Sequence, residues 1–143
     1  MDLYKNALKE ISKNNPDIDK VLSLLERSIE EGNGEAAYAL GTWYLHGHYV
    51  TKNLRKATTL IRKAANDNVP DALYDMAASY ESGIGVKKNE GRAVEYYLRA
   101  ALHGDKQSFF ELGRCYYHGL GIERNRKLAK IWYDRAEELG VHD

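Results

Sequence analysis

Five histidines, one cysteine and several adjacent carboxylates are the side chains of this 143-residue chain that could hold a metal or run a reaction. His46 and His118 stand two full periods of a 36-residue repeat apart. In a stacked-helix array that places them roughly 20 Å from each other, too far to share an ion. His48, His103 and His142 have no partner at ligand spacing, so solvated surface histidines are expected. Cys115 lies beside Tyr116 in an apolar helical stretch. That setting suits a partly buried, inert thiol better than a nucleophile, which needs an electropositive and accessible site. Glu30-Glu31 and Glu137-Glu138 fall near helix ends facing solvent, with nothing to raise a pKa for acid–base work. Gly83-Ile84-Gly85 and Gly119-Leu120-Gly121 could suggest a phosphate loop. They follow a helix rather than a strand and lack a third glycine, so helix-ending glycines account for them better. H-E-x-x-H, G-x-x-x-x-G-K-[ST] and S-x-x-K are all absent from the sequence. No catalytic residue, metal ligand or cofactor site is nominated.

Composition narrows the classes further. Lys plus Arg and Asp plus Glu each total 21, giving a formal net charge of zero. A dedicated nucleic-acid binder normally carries a basic excess, so nucleic acid is disfavoured as a partner. The apolar fraction of 43% is too high for a disordered chain. One cysteine excludes an intrachain disulfide. No run approaches the roughly 20 apolar residues of a membrane span, and Met1-Asp2-Leu3-Tyr4-Lys5 lacks the apolar core of a signal peptide. A cytoplasmic protein with no membrane partner is the expectation.

The elements that carry these residues are set by the repeat. Gly47, Gly83 and Gly119 recur every 36 residues, as do Tyr44, Tyr80 and Tyr116, and Asn53, Asn89 and Asn125. Ala57, Ala93 and Ala129 keep the interval, with Ala64, Ala100 and Ala136, Leu40, Met76 and Leu112, and Val50, Val86 and Ile122. Three ungapped copies, 34–69, 70–105 and 106–141, follow. Residues 1–33 read as a diverged leading helix pair, the atypical end unit that such arrays use. Within a copy, Ala36, Ala37, Leu40, Gly41 and Tyr44 form one helical stripe. A glycine ends that helix, a short loop carries Val50, Val86 or Ile122 as a buried apolar plug, and Asn53, Asn89 or Asn125 (Asp17 in the leading pair) caps the next helix. The small residues Gly41, Gly113, Ala57 and Ala64 let neighbouring backbones approach. Eight helices and no strand are predicted, as one continuous all-α, right-handed α-solenoid of four helix pairs.

The pattern resembles the Sel-1-like repeat, a cousin of the tetratricopeptide repeat. Ala72-Leu73-Tyr74-Asp75-Met76-Ala77-Ala78-Ser79-Tyr80-Glu81-Ser82-Gly83-Ile84-Gly85-Val86 follows its first half, and Arg92-Ala93-Val94-Glu95-Tyr96-Tyr97-Leu98-Arg99-Ala100-Ala101 its second. Leu112-Gly113, Tyr116, Gly119-Leu120-Gly121-Ile122 and Trp132-Tyr133 carry it in the third copy. The first copy has Gly47-His48-Tyr49, without the second loop glycine, which predicts a distorted loop. The resemblance implies an α-solenoid that binds other proteins as adaptor or scaffold, with bacterial relatives acting as host-interaction factors or as immunity proteins beside antibacterial toxins. Some relatives carry a cysteine pair per repeat and have been discussed as β-lactam-binding enzymes; Cys115 has no partner, which sets this chain apart from them.

In this repeat class the first helices line the concave surface. Counting from Leu40, Met76 and Leu112, the inward positions are Glu35, Tyr38, Thr42, Leu45 and His46, then Asp71, Tyr74, Ala78, Glu81 and Ser82, then Gln107, Phe110, Arg114, Tyr117 and His118. Tyr38, Tyr74 and Phe110 make an aromatic row, a residue type favoured at recognition surfaces because it orders at little entropic cost. The alternative is that these rings only pack between first helices. A second candidate is the C-terminal end, where Leu128, Trp132, Tyr133 and Ala136 lie on a last helix with no polar capping helix after it. That face could meet a partner or a second copy, or be fully used internally. The expected function is non-enzymatic protein binding in the concave groove, with immunity against a cognate toxin as the specific version. A general scaffold is the alternative, and a hydrolase of cell wall or β-lactam the remote one. Net charge alternates along the chain, −2 over 1–33, +3 over 34–69, −2 over 70–105 and +1 over 106–143, a pattern a partner could use for register.

Overall fold

A computed structural model of the chain describes residues 2–142. Among them are eight helices and no strand. Helices α1 (Leu3–Ile11), α2 (Ile18–Glu30), α3 (Gly34–His46) and α4 (Leu54–Asn66) belong to one compact unit, Met1–Asp67. Helices α5 (Pro70–Ser82), α6 (Glu90–Leu102), α7 (Gln107–His118) and α8 (Arg126–Glu138) form the other, Asn68–Asp143. Each unit is two helical hairpins, α1 with α2 and α3 with α4, or α5 with α6 and α7 with α8. The second helix of one hairpin packs on the first helix of the next, α2 on α3 and α6 on α7. This is the all-α, solenoid-type architecture of helix pairs that the repeat predicts.

The helix ends show why the period is so regular. Asn53, Asn89 and Asn125 sit in extended backbone, and their side-chain oxygens accept the N–H of Lys56, Arg92 and Leu128 at 3.0–3.1 Å. The backbone N–H of each cap donates to the carbonyl of Tyr44, Tyr80 or Tyr116 at 2.8–2.9 Å. One asparagine therefore starts the second helix and ties it to the end of the first. In the leading hairpin Asp17 does the capping, but its N–H goes to the carboxylate of Glu10 instead, at 3.1 Å. Glu10 is buried, with Lys13 at 2.9 Å and Lys20 at 3.4 Å on the same carboxylate. An acidic side chain thus supplies the acceptor that a tyrosine carbonyl supplies elsewhere.

The first loop is not distorted. Gly85 and Gly121 have φ of 80° and 71°, and Tyr49, at the equivalent place, has φ of 63°. A Cβ at Gly121 would collide with the Glu90 carbonyl, which explains the glycine there. At Tyr49 the left-handed backbone is kept at a steric cost. Its ring lies 4.8 Å from that of Trp43 and 3.9 Å from that of His48, so an aromatic cluster holds what a glycine would adopt freely. Val50, Val86 and Ile122 are half-buried rather than buried, in loops whose neighbouring residues are mostly exposed.

The core combines small residues with larger apolar side chains, from none on α8 to Leu73, Met76 and Tyr80 on α5. Ala57, Ala64, Ala93, Ala100, Ala129 and Ala136 are buried, as are Leu40, Met76 and Leu112. Gly113 lies where a Cβ would come within 2.7 Å of the Tyr133 ring, so α7 and α8 meet through a missing side chain. In the leading hairpin Leu3, Ala7, Val21, Leu24, Leu25 and Ile29 are buried.

Candidate partner-binding site

The first helices position the nominated residues, so each unit is taken separately. In the first unit, Glu35 and His46 on α3 are exposed, and Tyr38, Thr42 and Leu45 are half-buried. The Thr42 hydroxyl donates to the Ala39 carbonyl at 2.8 Å and so serves its own helix.

In the second unit, Asp71 and Ser82 on α5 and Tyr117 and His118 on α7 are exposed. Tyr74, Ala78 and Gln107 are half-buried, as are Phe110, Glu81 and Arg114. Tyr74 and Phe110 do not pair with each other. Each ring is backed by a ring on the second helix of its own hairpin, Tyr74 by Tyr97 at 5.7 Å and Phe110 by Tyr133 at 5.3 Å. Packing and partial exposure coexist at both positions. Burial, with Glu111 and Asp105 nearby, raises the Tyr74 phenol above its ordinary pKa, so the ring is neutral.

Glu81 and Arg114, expected to flank the groove as groups for a partner, are committed to each other. The Arg114 guanidinium donates to Glu81 Oε1 and Glu111 Oε2, both at 2.7 Å. The Tyr97 hydroxyl donates to the same Glu81 oxygen at 2.9 Å. These bonds hold the Glu81 carboxyl below its ordinary pKa. The cluster joins α5, α6 and α7 and is first a structural clamp. Glu111 was not among the nominated residues, although it lies one turn before Arg114, a spacing at which opposite charges meet.

At the C-terminal end, Trp132 is half-buried with its ring 5.6 Å from that of Phe109. The more exposed apolar residue on α8 is Ile131, at 62%. Tyr117, also exposed, lies under the Arg126 guanidinium at 4.4 Å and beside the His118 ring at 4.9 Å. Cys115 is buried, and burial pushes its thiol up to about 11. Among the described residues no three His, Cys, Asp or Glu side chains gather as metal ligands. No helix among them is long and apolar enough to cross a membrane.

Repeated helical hairpins, capped by the same glycine and asparagine, define a helical-repeat protein. The family is specific: the Sel1 repeat model matches residues 34–69, 70–105 and 110–141, and the chain belongs to the Sel1 repeat family. Similar solved structures include a protective antigen present in uropathogenic Escherichia coli strains and displaying an SLR fold (27% identity, TM-score 0.87, 97% of this chain and 30% of that one). Another is a Sel1 repeat protein from Oxalobacter formigenes (27%, 0.86, 97% and 58%). A third is an immunity protein from Pseudomonas aeruginosa (25%, 0.61, 96% and 51%). This chain spans less than two thirds of each of these neighbours. No curated protein matches it. The Sel1 fold is typical of protein–protein interaction, and the family is generally a non-enzymatic scaffold.

Proposed function

We propose that this chain is a non-enzymatic module that takes a protein partner on the face formed by its first helices, and that the partner is a toxin which it neutralises by covering. The observation that carries the reading is the state of Tyr74 and Phe110, each ring held against Tyr97 or Tyr133 and still only half-buried. Rings fixed before binding lose little freedom on association, which favours recognition. Similarity to an immunity protein supports the toxin as the partner class. The first helices also carry the exposed polar residues Glu35, Asp71 and His118, with Tyr117, residue types suited to the rim of an interface.

Affinity purification from the source cells with mass spectrometry identifies the partner. A toxin in a one-to-one complex supports neutralisation, whereas short peptides bound with modest affinity favour a general scaffold. The site is tested with Glu35→Lys combined with Asp71→Lys, two exposed positions outside the Arg114 clamp. Loss of the partner with helicity retained supports the first-helix face. Unchanged affinity overturns it.

A further inference from the structure

Between Glu35 and Asp67 the chain carries five Lys and Arg residues and no Asp or Glu. Four of the five, Arg55, Lys56, Arg62 and Lys63, lie on α4 and are exposed. At about 100° of turn per residue they fall within about 120° of one another around the helix axis. The buried Ala57, Ile61 and Ala64 occupy the opposite side. The outer face of α4 is therefore a stripe of a single sign. None of the four makes an ion pair among the described residues. Lys56 is engaged with the Tyr44 ring, its ammonium 5.2 Å from the ring centre.

The other second helices mix signs in the same register. Asp19 on α2 stands where α4 has Arg55. Glu26 on α2 and Asp134 on α8 stand where it has Arg62, and Glu95 on α6 where it has Thr59. Helix stability does not ask for the pattern of α4. Its first turn holds Arg55 and Lys56 and no acidic residue, next to the positive end of the helix dipole, where cations are disfavoured. Only Lys63, in the last turn, follows the dipole, and Arg27, Arg99 and Arg135 repeat it in the other helices. Arg55 and Arg62, two turns and about 10.5 Å apart on one face, are left as charges that the fold itself does not use.

We infer that the outer face of α4 docks an acidic segment of a protein partner, whose carboxylates meet Arg55 and Arg62. The extent of the stripe favours a short acidic segment over a nucleic acid. It runs about 12 Å from Arg55 to Lys63. On its α2 side stand Glu26 and Glu30, which line a groove together with Arg55 and Lys56. A polyanion extending past the stripe on that side meets like charge, and the chain as a whole is neutral. The stripe belongs to a second helix, so the inference does not rest on the first-helix face proposed above.

The test titrates the full chain at low ionic strength with three probes, followed by NMR. They are acetyl-Glu-Glu-Ala-Glu-Glu-Ala-Glu-Glu-amide, its glutamine counterpart and a seven-nucleotide oligothymidylate of equal charge. The glutamate peptide binds at least about tenfold more tightly than the glutamine peptide, with shifts centred on α4, and weakens as salt is added. Arg55→Gln with Arg62→Gln loses about fivefold in affinity for it and melts no lower than wild type. Lys106→Gln with Lys127→Gln removes the same charge from exposed positions elsewhere and loses less than about twofold. No preference for the glutamate peptide, an equal loss in the two variants, or tighter binding of the oligothymidylate overturns the inference. A melting temperature of the arginine variant well below wild type assigns those side chains to the fold and overturns it as well.

Discussion

Arg114 on α7 donates to Glu81 on α5 at 2.7 Å, joining two first helices of successive repeats. The same guanidinium nitrogen reaches Glu111 at 2.7 Å, and Tyr97 of α6 donates to Glu81 from the other side. The pair is only part-exposed, 28% and 24% at the side chains, so water screens it incompletely. Removing the arginine leaves two carboxylates with no cation between them. Arg114→Met is expected to lower unfolding stability by about 1–3 kcal/mol at neutral pH. The Glu81 carboxyl is held below its ordinary value of 4.5, so its contribution is present above that pH and is lost as pH falls through the lowered value. The gap between wild type and Arg114→Met in urea therefore narrows on acidification. A gap that stays constant down to acid pH excludes the clamp as its origin.

Tyr49 makes a test of backbone strain with an unusual sign. At φ 63° an L-residue costs about 1–2 kcal/mol relative to glycine. The Trp43 and His48 contacts offset part of this. Tyr49→Ala discards the contacts and keeps the strain, whereas Tyr49→Gly discards both. Glycine is thus expected to be the more stable of the two variants by about 1 kcal/mol, opposite to the order within a helix. Paired thermal melts decide it, and a more stable alanine variant rules the account out.

The elements that could be read from the residue string are those in which one residue dictates its own geometry. Gly47, Gly83 and Gly119 end helices at φ 67–74° because that conformation suits glycine. Asn53, Asn89 and Asn125 begin helices because a short amide oxygen reaches the next free N–H. Arg114 with Glu81 was not legible in the same way. Their positions differ by 33, and whether they meet depends on how α5 and α7 are set side by side. The Tyr49 loop departs from the sequence expectation because local preference disfavours its conformation, and the rings that sustain it are a tertiary effect.

Cys115 gives a readout of local opening in the second unit. It is buried on the inner side of α7, and burial pushes its thiol up to about 11, so both access and thiolate population are low. Ellman's reagent at pH 8 is expected to react at least about 100-fold more slowly with the native chain than with the chain in denaturant. In Arg114→Met, whose clamp borders the same helix, native reactivity rises. Fast labelling of the folded wild type contradicts an inert core thiol.

Glu10 makes the leading hairpin acid-sensitive. Hydrogen bonds from Lys13 and from the Asp17 backbone, with Lys20 adding a third, hold its carboxyl down to about 2, against an ordinary 4.5. Because the folded pKa lies below the unfolded one, the stabilisation is complete above about pH 4.5 and disappears as pH falls toward 2. Glu10→Gln keeps an acceptor for the Asp17 N–H but has no charge for the lysines. The variant is therefore less stable than wild type at pH 7, and the two converge as pH falls toward 2. Urea midpoints followed by circular dichroism across that range test the assignment. Parallel stability curves would place the acid sensitivity elsewhere, and the Glu10 carboxylate would then be only a neutral acceptor for the helix start.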